Sequence, residues 1–196
     1  MKRVCVFAGS NVGLNPQFEK MAELLGNELV KGGYELVYGG SNIGLMGRLA
    51  NTVLQQGGNA IGVMPRGLFR GEIVHTELTE LHEVKDMHER KAKMGDLSDA
   101  FIALPGGFGT FEEVFEVVSW GQIGIHRKPI GLLNVDGYYN PLLQMVKNGM
   151  NAGFIPASHA PLLICENEPA ILLKKLKNYE PISTANKWSE LEDLSL

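Results

Sequence analysis

The chain has 196 residues, 44% of them hydrophobic, with 24 glycines and a formal net charge of −4 at pH 7. That length suits one α/β domain followed by a tail. The charge gives no global attraction to nucleic acid or to an anionic membrane, so any anion site must be local. The two cysteines, Cys5 and Cys165, allow one pair rather than a framework and lie in apolar runs, which reads as buried thiols in a reducing compartment. No apolar stretch approaches the roughly 18 residues of a membrane span, and Gly9 arrives too early for a signal peptide; a soluble, cytoplasmic protein is expected.

Apolar, partly β-branched runs alternate with helical patterns along the chain. The first strand is expected at 4–8 and ends in the polar turn Gly9, Ser10, Asn11. Pro16 then opens a segment in which Phe18, Met21, Leu24, Leu25 and Leu29 recur at helical spacing, closed by Gly32 and Gly33. A second strand at 34–38 runs into Gly39, Gly40, Ser41 and Asn42, and a helix over 45–56 follows. The third strand is 60–64. Residues 66–79 read as a loop broken by short turns, and 78–84 as a short extended element. A helix over 86–97 carries Met87, Arg90, Lys91 and Met94 on one face. Strands at 100–104, 129–133 and 162–165 then alternate with helices over 110–121, 138–150 and 168–176. Periodicity is lost beyond 180, so 1–180 is read as a single nucleotide-binding α/β domain and 181–196 as a loose or partner-packed tail.

Strands regularly separated by helices call for right-handed βαβ units, a mainly parallel sheet and helices on both faces. Ligands gather at the carboxyl ends of such strands. The glycine turns at 9–10, 39–42 and 106–109 all follow strands, and are expected to open onto one crevice.

The densest chemistry lies in Pro105, Gly106, Gly107, Phe108, Gly109, Thr110, Phe111, Glu112 and Glu113, directly behind an apolar strand. Glycines permit tight turns and close ligand approach, and unpaired N–H groups at a helix start favour an anion. Two readings stand: a phosphate cradle with Thr110 as cap or ligand, or a tight structural turn with Thr110 capping the helix. The absence of a lysine after the glycines disfavours a Walker-type phosphate loop, and Gly9 to Gly13 gives only part of a dinucleotide fingerprint. Glu112, Glu113 and Glu116 begin the helix, either as acids favoured by its dipole or as carboxylates placed to stabilise a cationic glycosidic transition state. Glu112 and Glu116 share a face, and Glu113 points about 100° from Glu112. Arg90 is either a snorkelling surface cation or a bidentate clamp for phosphate or carboxylate. Glu72, in the irregular stretch 67–76, is a further candidate carboxylate. The second glycine junction, Gly39 to Gly47, either wraps part of a nucleotide or is a close-packed helix start. The aromatic pair Tyr138 and Tyr139 is assigned to packing or an interface. His75, His82, His88, His126 and His159 show no zinc-protease spacing, and no serine triad or run of basic and aromatic residues for nucleic acid is present.

These residues resemble the Lonely Guy family of cytokinin riboside 5'-monophosphate phosphoribohydrolases. The stretch from Pro105 to Glu113 matches the family's PGGxGTxxE motif, and Met87, His88, Glu89, Arg90 and Lys91 match its arginine–lysine segment. The resemblance extends through residues 38–47, 62–65, 120–126, 128–140 and 153–155. It implies a Rossmann-like doubly wound domain, usually a homodimer with sites near the subunit interface. It also implies hydrolysis of the N-glycosidic bond of N6-substituted adenosine 5'-monophosphates, without metal or redox cofactor. Carried onto this chain, the catalytic pair is Arg90 and Glu113. Substrate contacts come from Glu72, Arg90, Lys91, Gly107, Phe108, Gly109, Thr110, Phe111, Glu112, Glu113 and Ser119, the last a position where relatives often have threonine. A general nucleoside-monophosphate nucleosidase and a non-catalytic nucleotide or cofactor carrier are the alternatives. Relatives are often labelled lysine decarboxylases, yet nothing in the sequence offers the Schiff-base lysine and acidic pyridine partner of a pyridoxal phosphate enzyme.

Overall fold

The computed structural model describes residues 1–68 and 74–181. Its strands are β1 (Arg3–Phe7), β2 (Glu35–Tyr38), β3 (Ala60–Pro65), β4 (Glu80–Val84), β5 (Ala100–Ala103), β6 (Ile130–Leu133) and β7 (Leu163–Glu166). Its helices are α1 (Pro16–Lys31), α2 (Gly44–Gln55), α3 (Met87–Leu97), α4 (Phe108–Gln122), α5 (Asn140–Asn151) and α6 (Pro169–Lys177). Every expected element is present with its type, and the bounds move by at most two residues. The expected tail at 182–196 lies outside the described residues.

The strands form one sheet in the order β4-β3-β2-β1-β5-β6-β7, and all six strand pairings are parallel. An isolated antiparallel bridge joins Ser41 to Val74 beyond the strands. Alternation along β1 shows how both faces are covered. Val4 and Val6 enter a core with Leu25 and Leu29 of α1, Leu49 and Val53 of α2, and Leu172 of α6. Cys5 and Phe7 point the opposite way, into a core with Met94 of α3 and Val114 and Val117 of α4. The fold is therefore doubly wound. Leu24 departs from the expected stripe of α1: it is exposed, while Met21, Ala22, Leu25 and Leu29 carry the contact.

From β1 the chain winds outward to β4 on one side, then crosses to β5 and winds outward on the other. The loops leaving β1 and β5 consequently diverge, which leaves a crevice at their carboxyl ends. At its floor the Gly9 N–H donates to the Pro105 carbonyl at 3.1 Å. Asp86 proves to be the cap of α3 rather than its first residue, accepting from the N–H groups of His88 and Glu89 at 3.0 Å each. Among the described residues, no helix is long and apolar enough to cross a membrane, and no group of three or more His, Cys, Asp or Glu could hold a metal ion.

Candidate active site

A cavity of about 220 Å³ occupies the crevice, with Gly9 and Ser10, Gly39, Arg90, the turn 107–110 and Glu113 on its walls. The three glycine turns converge there, as the chain order led one to expect.

The glycines of the 105–113 motif divide into two kinds. A Cβ on Gly106 would stand 2.1 Å from the Thr110 hydroxyl and 2.9 Å from the Gly9 nitrogen, so this glycine is required by packing. A Cβ on Gly107 or Gly109 would meet no protein atom within 4 Å. These two keep a space open. Gly107 caps α4 with extended backbone and no side-chain hydrogen bond, leaving the first N–H groups of the helix available at the cavity wall. Thr110 is therefore not the cap: it is the third residue of α4, 3% exposed, with its hydroxyl over Gly106.

The second junction looks similar in sequence and differs in structure. The N–H groups of Leu45 and Met46 at the start of α2 both donate to the Gly9 carbonyl, at 3.0 and 3.4 Å. A Cβ on Gly47 would lie 2.0 Å from the Asn42 carbonyl oxygen, and one on Gly44 2.2 Å from the Ser10 backbone. This is a close-packed helix start, with the Leu45 and Met46 donors taken.

Arg90 and Glu113 face each other across the crevice. Arg90 Nε donates to the Val63 carbonyl at 3.0 Å and Nη1 to Glu113 Oε1 at 3.3 Å, with both side chains nearly buried. Its Nη2 lies over Gly39, where a Cβ would come within 2.1 Å. Burial pushes the Glu113 carboxyl up to about 7; Arg90 opposes that rise and Glu112 adds to it. Glu113 thus changes charge near neutrality, as suits a group that handles protons at ordinary pH.

Two tyrosines brace the motif from below. Tyr139 Oη donates to the Leu104 carbonyl at 2.6 Å, and Tyr138 Oη donates to the Gly106 carbonyl. Tyr138 also meets Phe18 edge-on and stacks with Phe111, which is how the half-buried Phe111 is used. These tyrosines do pack, as expected, and also fix the backbone that presents the open glycines.

The remaining site residues fall elsewhere. Phe108 stands exposed at the cavity rim. Lys91 turns from the crevice to pair with Glu112 and Glu116. Burial lowers the affinity of the Lys91 ammonium for its proton, but hydrogen bonds to the two carboxylates outweigh this and raise it overall. Ser119 lies on the outer side of α4, beside a separate cavity that it shares with Phe115 and His159. His88 is exposed and does not line the crevice. Glu72 lies outside the described residues. Sequence reasoning missed Gly39 as the seat of Arg90 and the two tyrosine braces, all set by contacts between distant segments.

A family model described as "Possible lysine decarboxylase" matches residues 46–176. The chain is 45% identical over 198 residues to cytokinin riboside 5'-monophosphate phosphoribohydrolase LOG7 of Arabidopsis thaliana, covering 99% of this chain and 91% of the relative. It is 48% identical over 179 residues to LOG4 of the same plant, which bears the same enzyme name, covering 91% and 83%. Among solved structures, the molybdenum cofactor carrier protein of Chlamydomonas reinhardtii aligns with a TM-score of 0.69 at 21% identity, over 91% of this chain and 99% of that one. The molybdenum cofactor binding protein of Rippkaea orientalis gives a TM-score of 0.67 at 22% identity, over 91% and 97%. These two likenesses establish the doubly wound fold alone. The identity with the plant enzymes, 45–48% and spread over nearly the whole chain, means that this chain belongs to the LOG (Lonely Guy) family.

Proposed function

We propose that the chain is a cytokinin riboside 5'-monophosphate phosphoribohydrolase, an N-glycosyl hydrolase that releases the base and ribose 5-phosphate from N6-substituted adenosine 5'-monophosphates such as isopentenyladenosine monophosphate. The observation that carries this is the buried Arg90–Glu113 pair in the same cavity as the uncapped start of α4. Phosphate sits against the N–H groups of the 107–110 turn, in the space kept open by Gly107 and Gly109. Glu113, oriented by Arg90, stabilises positive charge developing at C1' and takes a proton from the attacking water. Water oxygen bonds to C1', the C1'–N9 electron pair leaves with the base, and the base takes up a proton. No step calls for a metal or redox cofactor. A pyridoxal phosphate-dependent decarboxylase would need a free lysine amine in the cavity; among the described residues no lysine lines it, and Lys91 is held by two carboxylates.

The reading extends to a cytoplasmic homodimer built from one domain over 1–180. Phe154 is 84% exposed, Ile125 64% and Met145 54%. Separately, Phe115, Val118, Val146 and Ile155 line an apolar cavity of about 140 Å³ beside α4, and exposed apolar surface marks an interface. Ser119 meets substrate only across that interface.

The test is a panel of nucleoside monophosphates with matched nucleosides, followed by chromatography of released bases. Isopentenyladenosine monophosphate is expected to be turned over and its nucleoside spared. Equal turnover of nucleosides removes the phosphate site, and stoichiometric binding without base release removes the enzyme. Glu113→Gln is expected to fold and to lose at least about 10³-fold in kcat/KM.

A further inference from the structure

Lys91 follows Arg90 on α3, and Glu112 precedes Glu113 on α4, so the two helices meet through two adjacent cross-links. The inner one is Arg90 to Glu113. The outer one joins Lys91 Nζ to Glu112 and, at 2.8 Å, to Glu116 one turn further along α4. The Lys91 side chain is 10% exposed and that of Glu116 21%, whereas that of Glu112 is 54% exposed. A solvated ion pair contributes little, so the Glu112 contact alone carries no weight. Lys91 and Glu116 are largely withdrawn from water, and removing either leaves the other without its charge partner.

We propose that Lys91 and Glu116 are positioning residues. With Glu112 they form an ionic clamp that ties α3 to α4 and holds Arg90 opposite Glu113. The inference rests on Arg90 and Glu113 being the catalytic pair.

The clamp also sets the charge around Glu113. Among the described residues, the groups that act on Glu113 are Arg90 and Lys91 from α3, and Glu112 and Glu116 on its own helix. Cys5, on β1 behind them, feels Glu113 in turn, and burial first and that carboxylate second hold its thiol protonated. The two cations favour ionised Glu113, and the two carboxylates oppose it. Lys91→Met leaves two uncompensated carboxylates beside Glu113, which then keeps its proton to higher pH. Glu116→Gln removes one of them and acts in the opposite direction.

The experiment compares pH profiles of kcat/KM for isopentenyladenosine monophosphate with carboxyl-carbon NMR titration of Glu113 in the ligand-free protein. Lys91→Met is expected to move the acidic limb and the Glu113 titration up by about half a pH unit or more, and Glu116→Gln to move both down. Lys91→Arg keeps both ion pairs and is expected to keep the wild-type profile. If Lys91→Met instead raises KM about tenfold or more with the limb unmoved, Lys91 is a substrate ligand and the clamp is refuted. Should Lys91→Met fail to fold, the near-isosteric Glu116→Gln carries the test, and an unmoved Glu113 titration in that variant overturns the proposal. A wild-type protein that released no base would remove the enzymatic reading, while the titrations would still decide the clamp.

Discussion

Gly39→Ala asks whether the position of Arg90, beyond its charge, carries the reaction. A Cβ at residue 39 would stand 2.1 Å from Arg90 Nη2 and 3.3 Å from Cζ, with Met46 Sδ at 3.1 Å. Non-bonded contact needs roughly 3.5 Å, so the guanidinium must retreat by more than about 1 Å. Its hydrogen bonds to the Val63 carbonyl and Glu113, at 3.0 and 3.3 Å, cannot both survive such a shift. A displacement of about 1 Å in a catalytic constellation costs on the order of 10²-fold in rate. The atom in the way is the far end of a flexible side chain, and Gly39 is not among the positive-φ glycines. The fold should therefore tolerate the methyl, with a stability change within about 1 kcal/mol. The assay pairs steady-state kinetics with thermal unfolding and a pH profile. Expected are a kcat reduced about 100-fold, a melting temperature within a few degrees of wild type, and an acidic limb moved upward because Arg90 no longer opposes the rise of Glu113. A well-folded Gly39→Ala enzyme with wild-type kcat would refute the reasoning.

Two further predictions follow from the same cavity. Because the carboxyl of Glu113 titrates at about 7 when folded against 4.5 ordinarily, the native state holds that proton more tightly than the unfolded chain. The stability it supplies is full below about 4.5 and is lost as pH rises through about 7, a difference of at most about 3 kcal/mol. Glu113→Gln escapes this loss, so its melting temperature relative to wild type should climb between about pH 5 and pH 8; a constant difference across that range would contradict the assignment. Gly107→Ala places a methyl where no protein atom lies within 4 Å. It should leave the melting temperature unchanged and raise KM for the nucleotide about tenfold or more, whereas an unchanged KM would mean that the space is not the ligand's.

How far the sequence was legible depends on the range of the contacts involved. Element types came through because burial periodicity is local: alternation along β1 and the apolar stripe of α1 are visible in their own residues. Convergence of the glycine turns was also readable, since a parallel sheet places every strand end on one edge. Thr110 was misread as a cap because glycine can cap a helix as well, and only three-dimensional crowding at Gly106 shows why a threonine follows. Arg90 and Lys91 were read as sharing one face of α3. They do leave the same side of the helix, but Glu113 and the Glu112–Glu116 pair draw their charged ends to different partners. That partition depends on how α3 meets α4, which neither helix encodes alone.

The two glycine junctions make the same point about function. Each follows a strand, each opens a helix, and each offers backbone donors to an anion by the usual physics of a helix start. In α2 two of those donors, Leu45 and Met46, are consumed internally, because the loop after β1 delivers the Gly9 carbonyl to them. The same loop turns its Gly9 N–H to Pro105 and so anchors the other junction from the opposite side. One glycine thus closes the first helix start while steadying the second, whose own donors remain open to the cavity. The anion site is consequently defined by which helix start the β1 loop leaves uncapped, and Arg90 and Glu113 stand beside that one. A substitution that withdrew the Gly9 carbonyl from α2 would create a second set of free N–H groups a short distance from the first, and with it a competing place for the phosphate to bind.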